Sequence, residues 1–216
     1  MIAGGLSASD EEWVDVVDNE GRVVGRASRE DAHRRGLRHP TVHVWVLRPL
    51  GGRVRVVFQW RTPDRLDFPN LLDVTAGGHV RAGEGTLRAM RRELHEELGL
   101  TRVRVRAMGG VPIDAVTHGV EVREWAYEYV HVTRRPLARF QVAREEVHGL
   151  LEAPLEALRS LHRGRADAVM MSGVKADGEG WVPCRRSVTR ADFVPAPDEH
   201  WAALWDRLER AYRIRL

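Results

Sequence analysis

The chain is poor in several kinds of residue, and each scarcity excludes a class of protein. It holds one cysteine, Cys184, among 216 residues, which excludes a disulfide framework and a cysteine-rich metal site. No apolar run approaches the length of a membrane span, and residues 1–10 lack the charged and apolar regions of a signal peptide. We therefore expect a cytoplasmic protein that has no membrane partner.

Lysine is almost missing as well, because Lys175 is the only one and all other basic residues are arginines. The formal net charge is only +3, and basic pairs such as Arg134–Arg135 lack interleaved aromatic residues, so nucleic acid is a disfavoured partner. An arginine-rich cleft would still bind phosphate groups. Apolar content of 43% and charged content of 30% are typical of a globular domain that can bury a core.

The most informative segment is 78–100, which combines a glycine-rich turn, a helix-length stretch and a closing glycine. On a helix of 3.6 residues per turn, Glu93, Glu96 and Glu97 fall within about one quadrant. Carboxylates this close repel one another, and a hard divalent cation is the natural reason to hold them together. The same wheel gives an adjoining apolar stripe that can dock on a sheet, formed by Leu87, Met90, Leu94 and Leu98.

This segment resembles the Nudix box, the signature of Nudix hydrolases. The family pattern is Gly, five residues, Glu, seven residues, then Arg-Glu-apolar-any-Glu-Glu-any-Gly-apolar. The 23 residues fill every specified position without a gap, and these positions are Gly78, Glu84, Arg92, Glu93, Leu94, Glu96, Glu97, Gly99 and Leu100.

The resemblance implies metal-dependent hydrolysis of a diphosphate linkage in a nucleoside diphosphate derivative, with Mg²⁺ or Mn²⁺ as the cofactor. Glu93, Glu96 and Glu97 are expected to bind the metal, and the family role of the residue matching Arg92 is to orient one of them. Weaker contributions are expected from Glu84 and from a glycine carbonyl at Gly77 or Gly78.

The general base is not fixed by the box, since Nudix enzymes take it from the box or from outside it. Four glutamates are candidates, and Glu124 is favoured because its strand should cross near the box: Glu96, Glu121, Glu124 and Glu128. Arg61, Arg65 and His79 are predicted to contact the substrate. The loops expected to determine specificity are 61–70, 112–119 and parts of 164–197.

Two alternatives share this fold. The segment from Ala32-His33 through His39 to Trp45, with Gly77-Gly78-His79, resembles the isopentenyl diphosphate isomerase branch of the superfamily. Those isomerases carry a cysteine where this chain has Gly77, and they degrade the box, which is intact here. A non-catalytic binding module would be expected to lose box glutamates. The glycine at position 77 and the intact box both depart from the isomerase pattern and favour hydrolysis. The retained box glutamates also disfavour a binding module.

Periodicity and turn residues predict the order of the elements. Strands are expected at 11–18, 22–26, 41–47, 54–60, 71–75, 103–111 and 120–132, and helices at 29–35, 154–163 and 198–214 besides the box helix. The family resemblance implies an α/β/α sandwich with a mixed sheet. We expect an N-terminal extension at 1–36 packed on the domain, a Nudix domain at 37–163, and an irregular segment and helix at 164–216. Either extension could also form a homodimer contact.

Overall fold

The computed structural model describes residues 12–65, 67–117, 120–178 and 180–214. The strands are β1 (Trp13–Val17), β2 (Val23–Ser28), β3 (His39–Leu50), β4 (Arg53–Arg61), β5 (Leu72–Asp73), β6 (Ala76–His79), β7 (Arg106–Thr117), β8 (Val120–Val132), β9 (Val147–Pro154), β10 (Val169–Asp177) and β11 (Gly180–Val188). The helices are α1 (Arg29–Arg34), α2 (Thr86–Leu98), α3 (Leu155–His162) and α4 (Asp198–Arg213).

Nine of the strands form one mixed sheet in the order β11-β10-β9-β4-β3-β8-β7, with β5 paired to β4 and β6 paired to β3. The β3–β8 pair is parallel and the other pairs are antiparallel. The predicted hairpin of β3 and β4 is therefore confirmed. Its outer partners, β8 and β9, come from much later in the chain.

Helices cover both faces of this sheet, so the predicted α/β/α sandwich is confirmed. Alternate residues of β3 point to opposite faces, as strand geometry requires. Val44 and Val46 join Leu94 of α2 in one buried cluster. Trp45 joins Trp205 of α4 in a second cluster on the other face, together with residues of α3.

The N-terminal hairpin of β1 and β2 is a separate two-stranded sheet. Helix α1 follows it, and the Ser28 hydroxyl caps this helix by accepting the amide of Asp31 at 3.2 Å. The hairpin is tied to the domain by the Val17 amide, which donates to the carbonyl of Arg38 at 2.9 Å. Both elements were predicted, although Glu11 lies outside the described residues.

Two predicted loops are wrong. Strand β7 runs through 112–117, where a loop was expected; Pro112 is accommodated because β7 is the edge strand of the sheet. The segment 164–197 was predicted to be irregular, but it holds the β10–β11 hairpin. The glycines of this segment were wrongly expected to interrupt regular secondary structure. Gly173 is needed there because a β-carbon would overlap the carbonyl of Leu150 on the neighbouring strand.

No helix among the described residues is both long and apolar enough to cross a membrane.

Candidate active site and metal centre

The box helix α2 places two of its glutamates at the edge of the core. Glu93 is 8% exposed and Glu97 is 6% exposed, whereas the side chain of Glu96 is 51% exposed. The helix ends at Gly99, whose left-handed φ of 62° permits the turn. The buried stripe is made by Ala89, Met90, Leu94 and Leu98. The assignment of Leu87 to that stripe is wrong, because it lies 53% exposed.

Arg92 connects the acidic residues of the box. Its guanidinium donates to Glu84 at 2.9 Å, to Glu93 at 2.6 Å and to Glu96 at 3.4 Å. It also donates to the carbonyl of His79 at 2.9 Å. The predicted pairing with Glu96 is present, but the shorter contacts go to Glu84 and Glu93. One guanidinium thus orients three carboxylates and fixes them to strand β6.

Strand β6 lies directly against these carboxylates, and its glycines make the approach possible. The amide of Gly77 donates to Glu97 Oε2 at 3.0 Å. A β-carbon at Gly78 would overlap the Glu93 carboxylate. A larger residue at position 78 would therefore displace this carboxylate. These glycines were predicted to form a turn, but they belong to a short strand that pairs with β3.

The acidic groups are not fully neutralised by their neighbours. Burial raises the pKa of Glu93 to about 7, although Arg92 acts against this shift. Burial and the charge of Glu93 raise the pKa of Glu97 well above its ordinary value. Ionised carboxylates in such a place are stabilised by a cation. The donor set is all oxygen and sits on a rigid helix, which fits Mg²⁺ or Mn²⁺ at Glu93, Glu96 and Glu97.

These carboxylates line a cavity of about 340 Å³, which is near the lower end of the range for small-molecule sites. The N-terminal segment, both sheet strands β3 and β8, and the segment before α4 also contribute to its wall. The lining includes His33, His39, His43, Arg61, Arg65, Gly78, His79, Arg92, Glu93, Glu96, Glu97 and Glu124.

Glu124 faces this cavity as the sequence analysis expected, and two residues hold its carboxylate. His43 Nε2 lies 3.2 Å from Glu124 Oε2, and the Thr41 hydroxyl donates to the same oxygen at 3.1 Å. Burial alone would raise the pKa of Glu124, but the His43 hydrogen bond and nearby histidine charges lower it to about 2. The pKa of His43 is raised despite its burial, because Glu124 stabilises the imidazolium. Neither His43 nor Thr41 was predicted as a site residue.

The other two candidates for the base do not line the cavity. Glu128 is 1% exposed and lies 2.7 Å from the guanidinium of Arg207. Its carboxylate is therefore engaged in a buried ion pair. Glu121 is about half exposed and lies 3.2 Å from Arg123. Of the four candidates, the cavity wall includes Glu96 and Glu124.

Three histidines meet in the wall of the same cavity. His33 Nε2 lies 3.1 Å from His79 Nε2, and one ring nitrogen from each of His33, His39 and His79 lies within 4.8 Å of the others. His39 is 2% exposed. Its Nδ1 lies 2.9 Å from the carbonyl of Leu37, and its Nε2 has no hydrogen-bond partner within the described residues. An imidazole fixed through one nitrogen, with the other free, is the arrangement of a metal ligand.

The two predicted substrate arginines lie in the cavity wall but are held by protein groups. Arg61 is 7% exposed; it donates to the carbonyl of Asp67 at 2.7 Å and to Asp73 at 2.8 Å. Arg65 is paired with Glu146. Arg61 therefore fixes the 61–70 loop, and contact of either arginine with a phosphate stays a prediction.

The NUDIX domain model matches residues 37–171. The chain belongs to the NUDIX family. Members of this family are enzymes that act on phosphorus-containing anhydrides, and they generally use divalent metal ions. The family match begins after the N-terminal hairpin and ends within β10, so it includes the box, β3 and β8.

Relatives of this Nudix enzyme bear the same family name. An uncharacterized Nudix hydrolase of Clostridium acetobutylicum is 30% identical over 189 residues, which covers 86% of this chain and 91% of that protein. An uncharacterized Nudix hydrolase of Streptomyces coelicolor is 48% identical over 95 residues, covering 44% of this chain and 51% of that protein. A crystal structure from Deinococcus radiodurans shares the fold, with a TM-score of 0.57 and 19% identity over 93% of this chain and 99% of that one.

Proposed function

We propose that this enzyme hydrolyses the diphosphate linkage of a nucleoside diphosphate derivative with Mg²⁺ or Mn²⁺. The observation that supports this most strongly is the group formed by Glu93, Glu96 and Glu97 at the wall of a cavity. Arg92 holds the first two carboxylates, and the Gly77 amide holds the third. Glu124, a carboxylate from strand β8, lies in the same cavity. Metal ligands and a base for water are the components that phosphoanhydride hydrolysis requires.

The bound metal would neutralise charge on the diphosphate and lower the pKa of a water molecule. The protein residues divide the remaining work. Arg92 keeps Glu93 and Glu96 in place, and β6 keeps Glu97 in place through the Gly77 amide. Glu124 is our first candidate for the base because it lies in the cavity wall, where His43 and Thr41 orient its carboxylate. Glu96, the more exposed carboxylate, is the second.

A substrate panel tests the proposal. Phosphate-product release would be measured for nucleoside di- and triphosphates, nucleotide sugars and dinucleotides, with Mg²⁺ or Mn²⁺ and with EDTA. We expect cleavage of at least one nucleotide, abolished by EDTA. Absence of cleavage across the panel by a folded protein that binds Mn²⁺ would contradict hydrolysis of this substrate class.

The base is tested separately with Glu124→Gln and Glu96→Gln. If Glu124 is the base, Glu124→Gln should lower kcat by about 100-fold or more while leaving Mn²⁺ affinity nearly unchanged. Glu96→Gln should weaken Mn²⁺ binding as well, because Glu96 is also a proposed metal ligand. Glu156→Gln is the matched control, because Glu156 is exposed and its ion-pair partner among the described residues is Arg159, at 3.0 Å on α3. Parental kcat in both cavity variants would show that neither carboxylate is the base.

The histidine cluster favours one second candidate, an isomerase-like reaction on isopentenyl diphosphate with a metal held by His33, His39 and His79. The structure provides an argument against it at Gly77. A β-carbon there would lie 2.9 Å from the carbonyl of Val42, so the position that is cysteine in those isomerases has no room for a side chain here. A separate isomerisation assay would be run with isopentenyl diphosphate. Turnover in that assay, without hydrolysis of any nucleotide in the panel, would favour this candidate over hydrolysis.

A further inference from the structure

The first strand of the N-terminal hairpin lies against the turn that leads into the box helix. We call residues 81–84 the box turn. Val14 forms a bridge with Arg81, and the amide of Ala82 donates to the carbonyl of Trp13 at 2.8 Å. The box turn is thus attached to a strand that lies outside the residues 37–171 matched by the family model.

Asp15 makes the side-chain contact of this attachment. Its carboxylate is 8% exposed. One oxygen accepts the amide of Gly83 at 2.9 Å, and the other accepts Arg26 Nε at 3.0 Å. Gly83 has a left-handed φ of 74°, so the direction of its amide depends on a backbone shape that glycine readily adopts. A carboxylate that accepts this amide favours that shape.

The box turn carries Glu84, and its contacts lead to the metal ligands. The Glu84 amide donates to the carbonyl of Arg81 at 2.8 Å, which closes the turn. The Glu84 carboxylate accepts the amide of Arg81 at 3.2 Å and two donors of Arg92, at 2.9 and 3.3 Å. Arg92 in turn contacts Glu93 at 2.6 Å. A displaced box turn would therefore move Glu84, release Arg92 and leave Glu93 less well placed.

We propose that Asp15 is a positioning residue for the metal centre, acting through the Gly83 amide, Glu84 and Arg92. The N-terminal hairpin then belongs to the working site. This inference rests on the proposed role of Glu93, Glu96 and Glu97 as metal ligands. It does not depend on which substrate is hydrolysed.

The test compares Asp15→Ala and Asp15→Asn with the parent enzyme. The readouts are the Mn²⁺ dissociation constant, measured from the electron paramagnetic resonance signal of free Mn²⁺, and the thermal unfolding temperature. Asp15→Ala should weaken Mn²⁺ binding by about tenfold or more, which is the usual scale for loss of a residue that supports a metal ligand. Asp15→Asn keeps an oxygen for the Gly83 amide and should stay within about threefold of the parent.

Asp18→Ala is the matched control on the same hairpin. Asp18 pairs with Arg22 at 2.8 Å and accepts nearby amides, but it makes no contact with the box turn among the described residues. It should bind Mn²⁺ as the parent does. Arg26→Met removes the other partner of Asp15 and should also leave Mn²⁺ binding within about threefold.

Three results would overturn the inference. The first is parental Mn²⁺ affinity in a folded Asp15→Ala variant, and the second is Asp15→Asn binding as weakly as Asp15→Ala. If Asp15→Ala fails to fold, amide hydrogen exchange of the parent protein replaces the binding measurement. The third overturning result would then be a Gly83 amide that is not protected from exchange. Asp15-dependent Mn²⁺ binding in a protein that hydrolyses no nucleotide would support this inference while contradicting the proposed reaction.

Discussion

The buried glutamates of the box and the buried Glu152 of the sheet are neutralised very differently. Glu152, in the middle of the sheet, is 4% exposed and lies between two guanidinium groups, Arg48 at 2.6 Å and Arg55 at 3.0 Å. In the box, one guanidinium, that of Arg92, is shared by Glu84, Glu93 and Glu96. Glu97 accepts the Gly77 amide. Glu152 therefore has two guanidinium partners for one carboxylate, whereas three box carboxylates share one guanidinium.

This difference indicates what each region is for. A buried carboxylate that only supports the fold is expected to carry its own counter-charge, since an unpaired buried charge is costly. The box instead leaves carboxylates whose pKa values are raised by burial. Such a site costs stability when no cation is present and becomes favourable when a divalent cation binds.

The largest expected effect is on catalysis. Glu93→Gln and Glu97→Gln should each lower kcat/KM by about 100-fold or more, because loss of a metal ligand removes several kcal/mol of transition-state stabilisation. Glu152→Gln should keep kcat/KM within about threefold in the folded fraction at low temperature. Steady-state hydrolysis of the best substrate from the panel measures this. Parental rates in both box variants would contradict the metal role.

The next effect is on stability, and its sign should differ between the two regions. Glu152→Gln leaves two buried arginines without their carboxylate and should cost about 3–5 kcal/mol of unfolding free energy, or roughly 10 °C in Tm. Glu97→Gln should raise the Tm of the metal-free protein, because the neutral amide removes an unfavourable buried charge. Thermal unfolding in EDTA measures both. An equal fall in Tm for both variants would contradict the expected difference between the box glutamate and the core glutamate.

A smaller effect concerns pH. The pKa of Glu93 rises from 4.5 to about 7 on folding, so the folded protein binds more protons than the unfolded chain between these values. Stability of the metal-free protein should therefore fall as pH rises from about 4.5 to 7. Glu93→Gln should flatten this slope, and so should saturating Mn²⁺. Urea unfolding at several pH values would be measured for the parent, for Glu93→Gln and for the parent with saturating Mn²⁺. An identical dependence of unfolding free energy on pH in all three samples would contradict the prediction.

The smallest effect is expected at Glu96, whose side chain is 51% exposed. Glu96→Gln should leave the Tm of the metal-free protein within about 1 °C of the parent, because solvent already screens this carboxylate. Glu97→Gln under identical conditions is the comparison. An equal rise in Tm for both variants would show that burial does not distinguish the two glutamates.

The sequence allowed the box helix, its glycine cap and the metal-ligand candidates to be predicted, because these features depend on spacing along one helix. It did not reveal how Glu124 meets His43, since that contact depends on the parallel pairing of β3 with β8. Strands β9, β10 and β11 were missed for a related reason. Gly149 and Gly173 look like breaks in the sequence, but each gives room for the backbone of a neighbouring strand. The Asp15 contact with Gly83 joins residues 68 positions apart, so no local sequence pattern predicts it.

Mn²⁺ binding to the parent and to a Glu93→Gln/Glu97→Gln double variant, followed by the electron paramagnetic resonance signal of free Mn²⁺, tests the central claim most directly. We expect saturable binding by the parent and its loss in a double variant that stays folded and has a Tm at least as high in EDTA. Equal Mn²⁺ binding by the two proteins, or none by the parent, would contradict the assignment of the box carboxylates as a metal centre.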